Sequence, residues 1–148
     1  MKTNKIILKN AFLIFVGIVT YFFLMKLFGL ENVSELRILN FAFVFWGINR
    51  AIRQSIYLQK ETNYFANLAI GAATSALAVL MSIISLIIYV NFINPDFLSI
   101  IEFSFLLTGN LSIELVVFAI AIEGIASSVI CSFMVIQLHK NVKKSELT

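Results

Sequence analysis

Residues 65–92 form a run of 28 positions without one Asp, Glu, Lys or Arg. Coiled as an α-helix at about 1.5 Å per residue, that run is long enough to cross the roughly 30 Å hydrocarbon core of a bilayer. In water such a helix would have to be covered on every side. A chain of 148 residues that is 60% hydrophobic and only 13% charged has too little polar surface for a soluble shell around it. The chain therefore reads as an integral membrane protein. Fifteen Phe against a single Pro exclude a disordered tail and a collagen-like chain.

Three more stretches approach bilayer length, which gives expected spans at residues 11–30, 36–58, 65–92 and 112–138. The second is polar in its inner half, where Asn49, Arg50, Arg53 and Gln54 follow Trp46, and the fourth carries one charge away from its ends, Glu123. Between the third and fourth, Asn94-Pro95-Asp96 offers an N-cap residue, a proline for the first helical position and an acid for the first turn. A helix over residues 95–107 is expected to follow, too short to span and so interfacial. The expected fold is all-α: four transmembrane helices in an antiparallel bundle with a short interfacial helix between spans three and four, in a single domain of residues 1–148. Met1-Lys2-Thr3-Asn4-Lys5 looks like the start of a signal peptide, but no small-x-small cleavage site follows, so the first span is expected to be retained.

Charge sets the expected orientation, because Lys and Arg in short loops favour the cytoplasmic side. Lys2, Lys5, Lys9, Arg50, Arg53, Lys60, Lys140, Lys143 and Lys144 fall on one side, nine of the 11 basic residues. Lys26 and Arg37 fall opposite, together with Glu31, Glu35, Asp96, Glu102 and Glu114. Both termini are thus expected in the cytoplasm, with the chain in a bacterial inner membrane. The pI near 9.1 reflects this clustering at span ends and does not point to nucleic acid.

Glu123 is the residue that most needs a reason, since an ionisable side chain near the bilayer midplane costs roughly 2.5–3.5 kcal/mol on insertion scales. It must face protein or water, and Asn49, Arg50, Ser82 and Thr20 are expected at comparable depth. One reading makes it a neutral or Arg50-paired residue that fixes helix register. The other makes it a carboxylate that titrates or binds a cation. The interiors of the spans hold no second acid or histidine to pass a proton onward, which favours the first. Arg50 and Arg53 share a helix face. They either snorkel beside Trp46 and Tyr57 as interfacial residues or, with Lys60, hold an anionic lipid headgroup.

Gly71, Ser75, Ala78, Ser82 and Ser85 recur at steps of four and three, a small-residue stripe along span three where another helix can approach closely. Leu77, Leu80, Ile84, Ile87 and Ile88 form the opposite, lipid-facing set. Span four has a similar patch in Gly124, Ser128, Cys131 and Ser132, and the simplest packing joins spans three and four through these faces, with a dimer or partner interface as the alternative. Cys131 is the sole cysteine, so no internal disulfide exists and no cysteine-based metal motif can be built. His139 reads as a helix-terminus residue favoured by the dipole. No HExxH, GxSxG, P-loop or GxGxxG pattern occurs, so no catalytic residue, metal or cofactor is expected.

Glu35-Leu36-Arg37-Ile38-Leu39-Asn40-Phe41 leading into Gly47-Ile48, then Ala69-Ile70-Gly71-Ala72-Ala73-Thr74-Ser75, Asn94-Pro95-Asp96-Phe97 and Ile122-Glu123-Gly124-Ile125-Ala126-Ser127 before a basic tail, together resemble a Bacteroidota family of small four-helix inner-membrane proteins classed as a domain of unknown function. The resemblance covers most of the chain. It implies a four-span bundle with Glu123-Gly124 inside its pattern, and it supplies no activity. The expected function is that of a non-enzymatic subunit of a larger membrane assembly, partnered by the bilayer and by itself or other membrane subunits. The alternative is a small proton-coupled transporter or lipid-handling protein that uses Glu123, and it requires a cavity reaching that residue.

Overall fold

The computed structural model describes residues 2–30, 38–97, 99 and 112–139. Among them the chain forms four long helices: α1 (Thr3–Leu27), α2 (Leu39–Gln59), α3 (Tyr64–Phe92) and α4 (Ile113–Leu138). Of these, α1, α3 and α4 are long and apolar enough to cross a membrane. The expected second span is present as a helix, but Asn40, Asn49, Arg50, Arg53 and Gln54 keep it out of that apolar class. Helix α1 begins eight residues before the expected boundary at residue 11, taking Lys5, Lys9 and Asn10 into its first turns. Hydropathy marks where the apolar stretch starts, and helical hydrogen bonding simply continues past it.

The helix ends show why the chain turns where it does. After Leu27 the Gly29 backbone enters the left-handed region at φ 66°, and Gly29 N–H and Leu30 N–H donate to the carbonyls of Lys26 (3.1 Å) and Met25 (2.9 Å). That pair of bonds is a Schellman closure, which glycine adopts without a Cβ penalty. Between α2 and α3 only residues 60–63 intervene. Lys60 takes φ 56° there. Asn63 caps α3 by accepting from Phe65 N–H (2.9 Å) and Ala66 N–H (3.3 Å). The fully buried side chain of Asn67 reaches back and donates to the carbonyls of Glu61 (2.8 Å) and Asn63 (3.1 Å), stapling the turn from inside.

Of the expected interfacial helix at 95–107, only the start lies within the described residues. Phe97 N–H donates to the Asn94 carbonyl at 3.2 Å, so Asn94-Pro95-Asp96 turns the chain. Phe97 is then buried edge-on against Phe22 and Tyr89, with ring centroids 5.1 and 5.3 Å away.

Helices α2 and α3 pack against each other, and α1 and α4 each pack against both. One core joins Ile48, Ile52 and Ile56 of α2 to Cys131, Val135 and Ile136 of α4. Others join Ile6, Ala51 and Ile70, then Ala11, Ile14 and Ala78. The small-residue stripe of α3 is divided among three neighbours rather than reserved for α4. A Cβ on Gly71 would meet Ile52 and Ile48 of α2 at 3.0 and 3.1 Å and Ser132 Oγ of α4 at 3.1 Å, while Ala78 packs on α1. Gly71, Ser75 and Ala78 are buried, and Ser82 and Ser85 are half-buried. On the other face Leu80, Ile84 and Ile88 are exposed, whereas Leu77 turns in against the Ala11–Ile14 cluster.

Candidate functional site

Where α4 meets α3, Gly124 stands against Val79, and both residues border a gap between the helices. The gap is a cleft of about 470 Å³ lined by all four helices, within the range typical of small-ligand sites. Its apolar wall comes from Ile18 of α1, Phe41 and Val44 of α2, Val79 of α3 and Ile120 of α4, with Ile38 just before α2. Its polar wall comes from Asn40, Ser82, Glu123, Ser127 and Ser128. Glu123 is an exposed residue of this lining.

The hydroxyls of this wall have an orientation imposed by their own helices. Ser82 Oγ donates to the Ala78 carbonyl at 2.9 Å and Ser128 Oγ to the Gly124 carbonyl at 2.6 Å, the back-bonding that serine adopts inside helices. Each hydroxyl hydrogen is therefore committed to backbone, and what remains of each group is an acceptor. Asn40 Oδ1 is buried with no hydrogen-bond partner. The described polar lining contains no Lys, Arg or His.

Of the five residues expected to share an intramembrane depth, the structure brings Glu123 and Ser82 together and leaves three elsewhere. Thr20 is exposed on α1 and is not part of the lining. Asn49 and Arg50 lie nine and ten residues along α2 from Asn40, about 14–15 Å down the axis. The expected common depth follows from antiparallel spans alone, whereas packing sets α2 by the fit of Gly47 against Ile14 and of Ile48 and Ile52 against Gly71. Arg50 accordingly does not reach Glu123. Its guanidinium lies 5.5 Å from the Trp46 ring centroid, and that of Arg53 lies 5.9 Å from Tyr57. These four residues make one stripe of α2, opposite the buried Ile48, Ala51, Ile52, Ser55 and Ile56. Lys60 is exposed at the helix end.

Asn40 was missed from the sequence, although a carboxamide in an otherwise apolar run beside Phe41 is a signal of the same kind as Glu123. Asn10, Ser55 and Asn67 were missed as well, and Ser132 was read only as part of the small-residue patch of span four. All four are buried, and each keeps one side-chain oxygen without a partner, although Asn10 Nδ2 donates to Gln54 Oε1 and the Ile6 carbonyl, both at 2.8 Å. They mark a polar layer at the end of the bundle where α2 turns into α3.

No protein-family model matches this chain, and neither the curated proteins nor the solved structures contain a match to it.

Proposed function

We propose that the protein is a small multi-pass protein of a bacterial inner membrane that binds an amphiphilic small molecule in the cleft around Glu123, in a lipid-handling or transport role. The observation that carries this reading is the cleft itself, a cavity of about 470 Å³ that reaches the one ionisable residue in the middle of α4. An apolar wall for a chain and a polar wall for a headgroup are what such a ligand needs. The subunit reading draws less support, because the small residues that would serve a partner helix are engaged inside the bundle by Ile48, Ile52, Val79 and Ser132.

In this reading all four helices cross the bilayer in an antiparallel bundle, with both termini in the cytoplasm. The pairing of Thr3 with Gln59 and of Asn10 with Gln54 at one end, and of Lys26 with Tyr89 at the other, supports alternating directions. The basic residues at the first end support its cytoplasmic placement. Helix α2 crosses with Ile48, Ile52 and Ile56 packed on its neighbours, while Arg50 and Arg53 on the opposite stripe snorkel toward the cytoplasmic interface beside Trp46 and Tyr57.

Native mass spectrometry of protein released from nanodiscs tests the reading. Wild-type protein is expected to retain a bound amphiphile, and Ser127→Phe, which fills the cleft, is expected to lose it while melting at the same temperature. Equal retention by both proteins would sink the proposal.

A further inference from the structure

We infer that Arg50 and Arg53 bind the phosphate of an anionic phospholipid, an inference that rests on α2 crossing the bilayer, as proposed above, and not on the cleft. Trp46, Arg50, Arg53, Tyr57 and Lys60 follow one another at steps of four, three, four and three, so they run down one face of α2. That face is open: Trp46, Arg53, Tyr57 and Lys60 are exposed and Arg50 is half-buried. Each guanidinium lies over an aromatic ring of its own helix, Arg50 at 5.5 Å from the Trp46 centroid and Arg53 at 5.9 Å from that of Tyr57, within cation–π reach. Neither makes a hydrogen bond or an ion pair among the described residues. The rings thus hold two guanidiniums one turn apart, about 4.5 Å along the axis, with their N–H donors unused.

An occupant of this face has to bring acceptors and negative charge. The two guanidiniums are joined there by the Lys60 ammonium, the Trp46 indole N–H and the Tyr57 hydroxyl, and the half-buried Asn49 carboxamide beside Arg50 adds a donor and an acceptor. Thr3 and Asn10 of α1 pair with Gln59 and Gln54 of α2, so Lys5 and Lys9 bring further positive charge to the same end. Among the described residues the one acid at this end is Glu61, and its Oε1 already accepts the Asn63 N–H at 2.9 Å. Trp and Tyr settle at the level of the lipid headgroups, where the abundant anion is a phosphodiester. Guanidinium forks match phosphate oxygens two at a time through charge-assisted bonds. Lys60 and the α1 lysines repel the ammonium of a zwitterionic head and tolerate an uncharged glycerol. The face therefore fits phosphatidylglycerol or cardiolipin better than phosphatidylcholine.

Trp46 is the sole tryptophan and lies against Arg50, so its fluorescence reads which lipid sits at the site. The full chain is placed in phosphatidylcholine bilayers that contain a small fraction of phosphatidylglycerol, with bromine near mid-chain either on the phosphatidylglycerol or on an equal fraction of the phosphatidylcholine. Brominated phosphatidylglycerol is expected to occupy the position beside Trp46 roughly ten-fold more readily, because each Arg near the surface adds a several-fold attraction for anionic lipid. Arg50→Gln and Arg53→Gln should each lower that preference several-fold, and Arg50→Lys with Arg53→Lys, which keeps the charge and loses the forks, should lower it too. Lys2→Gln with Lys5→Gln removes two charges from the same end and should leave most of the preference. An equal loss there would mean diffuse surface attraction and would overturn the site, as would full preference in the double lysine variant or equal quenching by the two brominated lipids. If Ser127→Phe abolishes the preference, Trp46 is reading a ligand of the cleft and the site is overturned while the cleft reading stands. If the wild type is a dimer that Arg53→Gln dissociates, a second copy covers the face and no lipid site exists. If neither brominated lipid quenches Trp46 in monomeric protein, the crossing of α2 falls together with the site.

Discussion

Gly124 and Val79 are in contact so close that a single added carbon would not fit: a Cβ at position 124 would lie 2.6 and 2.8 Å from the two γ-carbons of Val79. Both residues also line the cleft, so the contact that locks α4 to α3 forms the floor of the cavity as well.

Gly124→Ala is therefore expected to destabilise the bundle by about 1–3 kcal/mol, the range for overpacking a tight interior. Val79→Ala in the same chain should recover most of the loss. Thermal unfolding in detergent reads both, and a wild-type melting temperature for Gly124→Ala alone would mean the helices are farther apart than described. Gly47, packed on Ile14, should be no more tolerant.

Face dependence along α3 gives a second check. Ser75 is fully buried and Leu80 is 57% exposed. Ser75→Leu should lower the melting temperature strongly, since buried methylenes must displace backbone, while Leu80→Phe should leave it within error. Equal losses would show that the face assigned to lipid is in fact covered.

Asn67 ties the turn between α2 and α3 through its two bonds to the Glu61 and Asn63 carbonyls. Asn67→Ala leaves the Glu61 carbonyl without its donor, while the Asn63 carbonyl keeps the Asn67 backbone N–H, and should cost about 1 kcal/mol, with faster proteolytic cutting at Lys60. Unchanged cutting would mean that the backbone alone holds the turn.

Topology is open to cysteine-accessibility mapping in a Cys131→Ser background. Cysteines at positions 32–34 and 109–111 should label from outside intact cells, and those at 61–63 and 145–148 only after permeabilisation. External labelling near the C-terminus would reverse the orientation.

Trp46 is the only tryptophan of the chain and is 49% exposed, so it reports the depth of α2 directly. Phospholipids brominated near mid-chain should quench its fluorescence more than a water-soluble quencher does. The opposite order would place α2 outside the hydrocarbon region.

The long helices were legible because their signals are local. An uncharged run marks α3, and an asparagine ahead of it supplies the cap. The cleft was legible only in part, because Glu123 and Ser82 stand out as polar residues in apolar helices, whereas their meeting with Asn40 depends on how far α2 slides along its neighbours. That register is set by Gly47 on Ile14 and Gly71 on Ile48 and Ile52, contacts between residues 19 to 33 positions apart that no periodicity encodes. The same slide carries Arg50 away from Glu123, while its contact with Trp46, one turn earlier on α2, belongs to the helix itself.

The brevity of the α2–α3 connection, residues 60–63 alone, bears on how the protein enters its membrane during synthesis. Helix α2 leaves the ribosome first, yet its arginines and amides make solitary partitioning unfavourable. Helix α3 follows within a few residues and is apolar enough to enter by itself. The two are expected to insert as one hairpin, with α3 drawing α2 across and Asn67 already in place to shut the bend. Arrested nascent chains ending within α3 should thus leave α2 extractable by alkali, and chains long enough to expose all of α3 should make both resistant together.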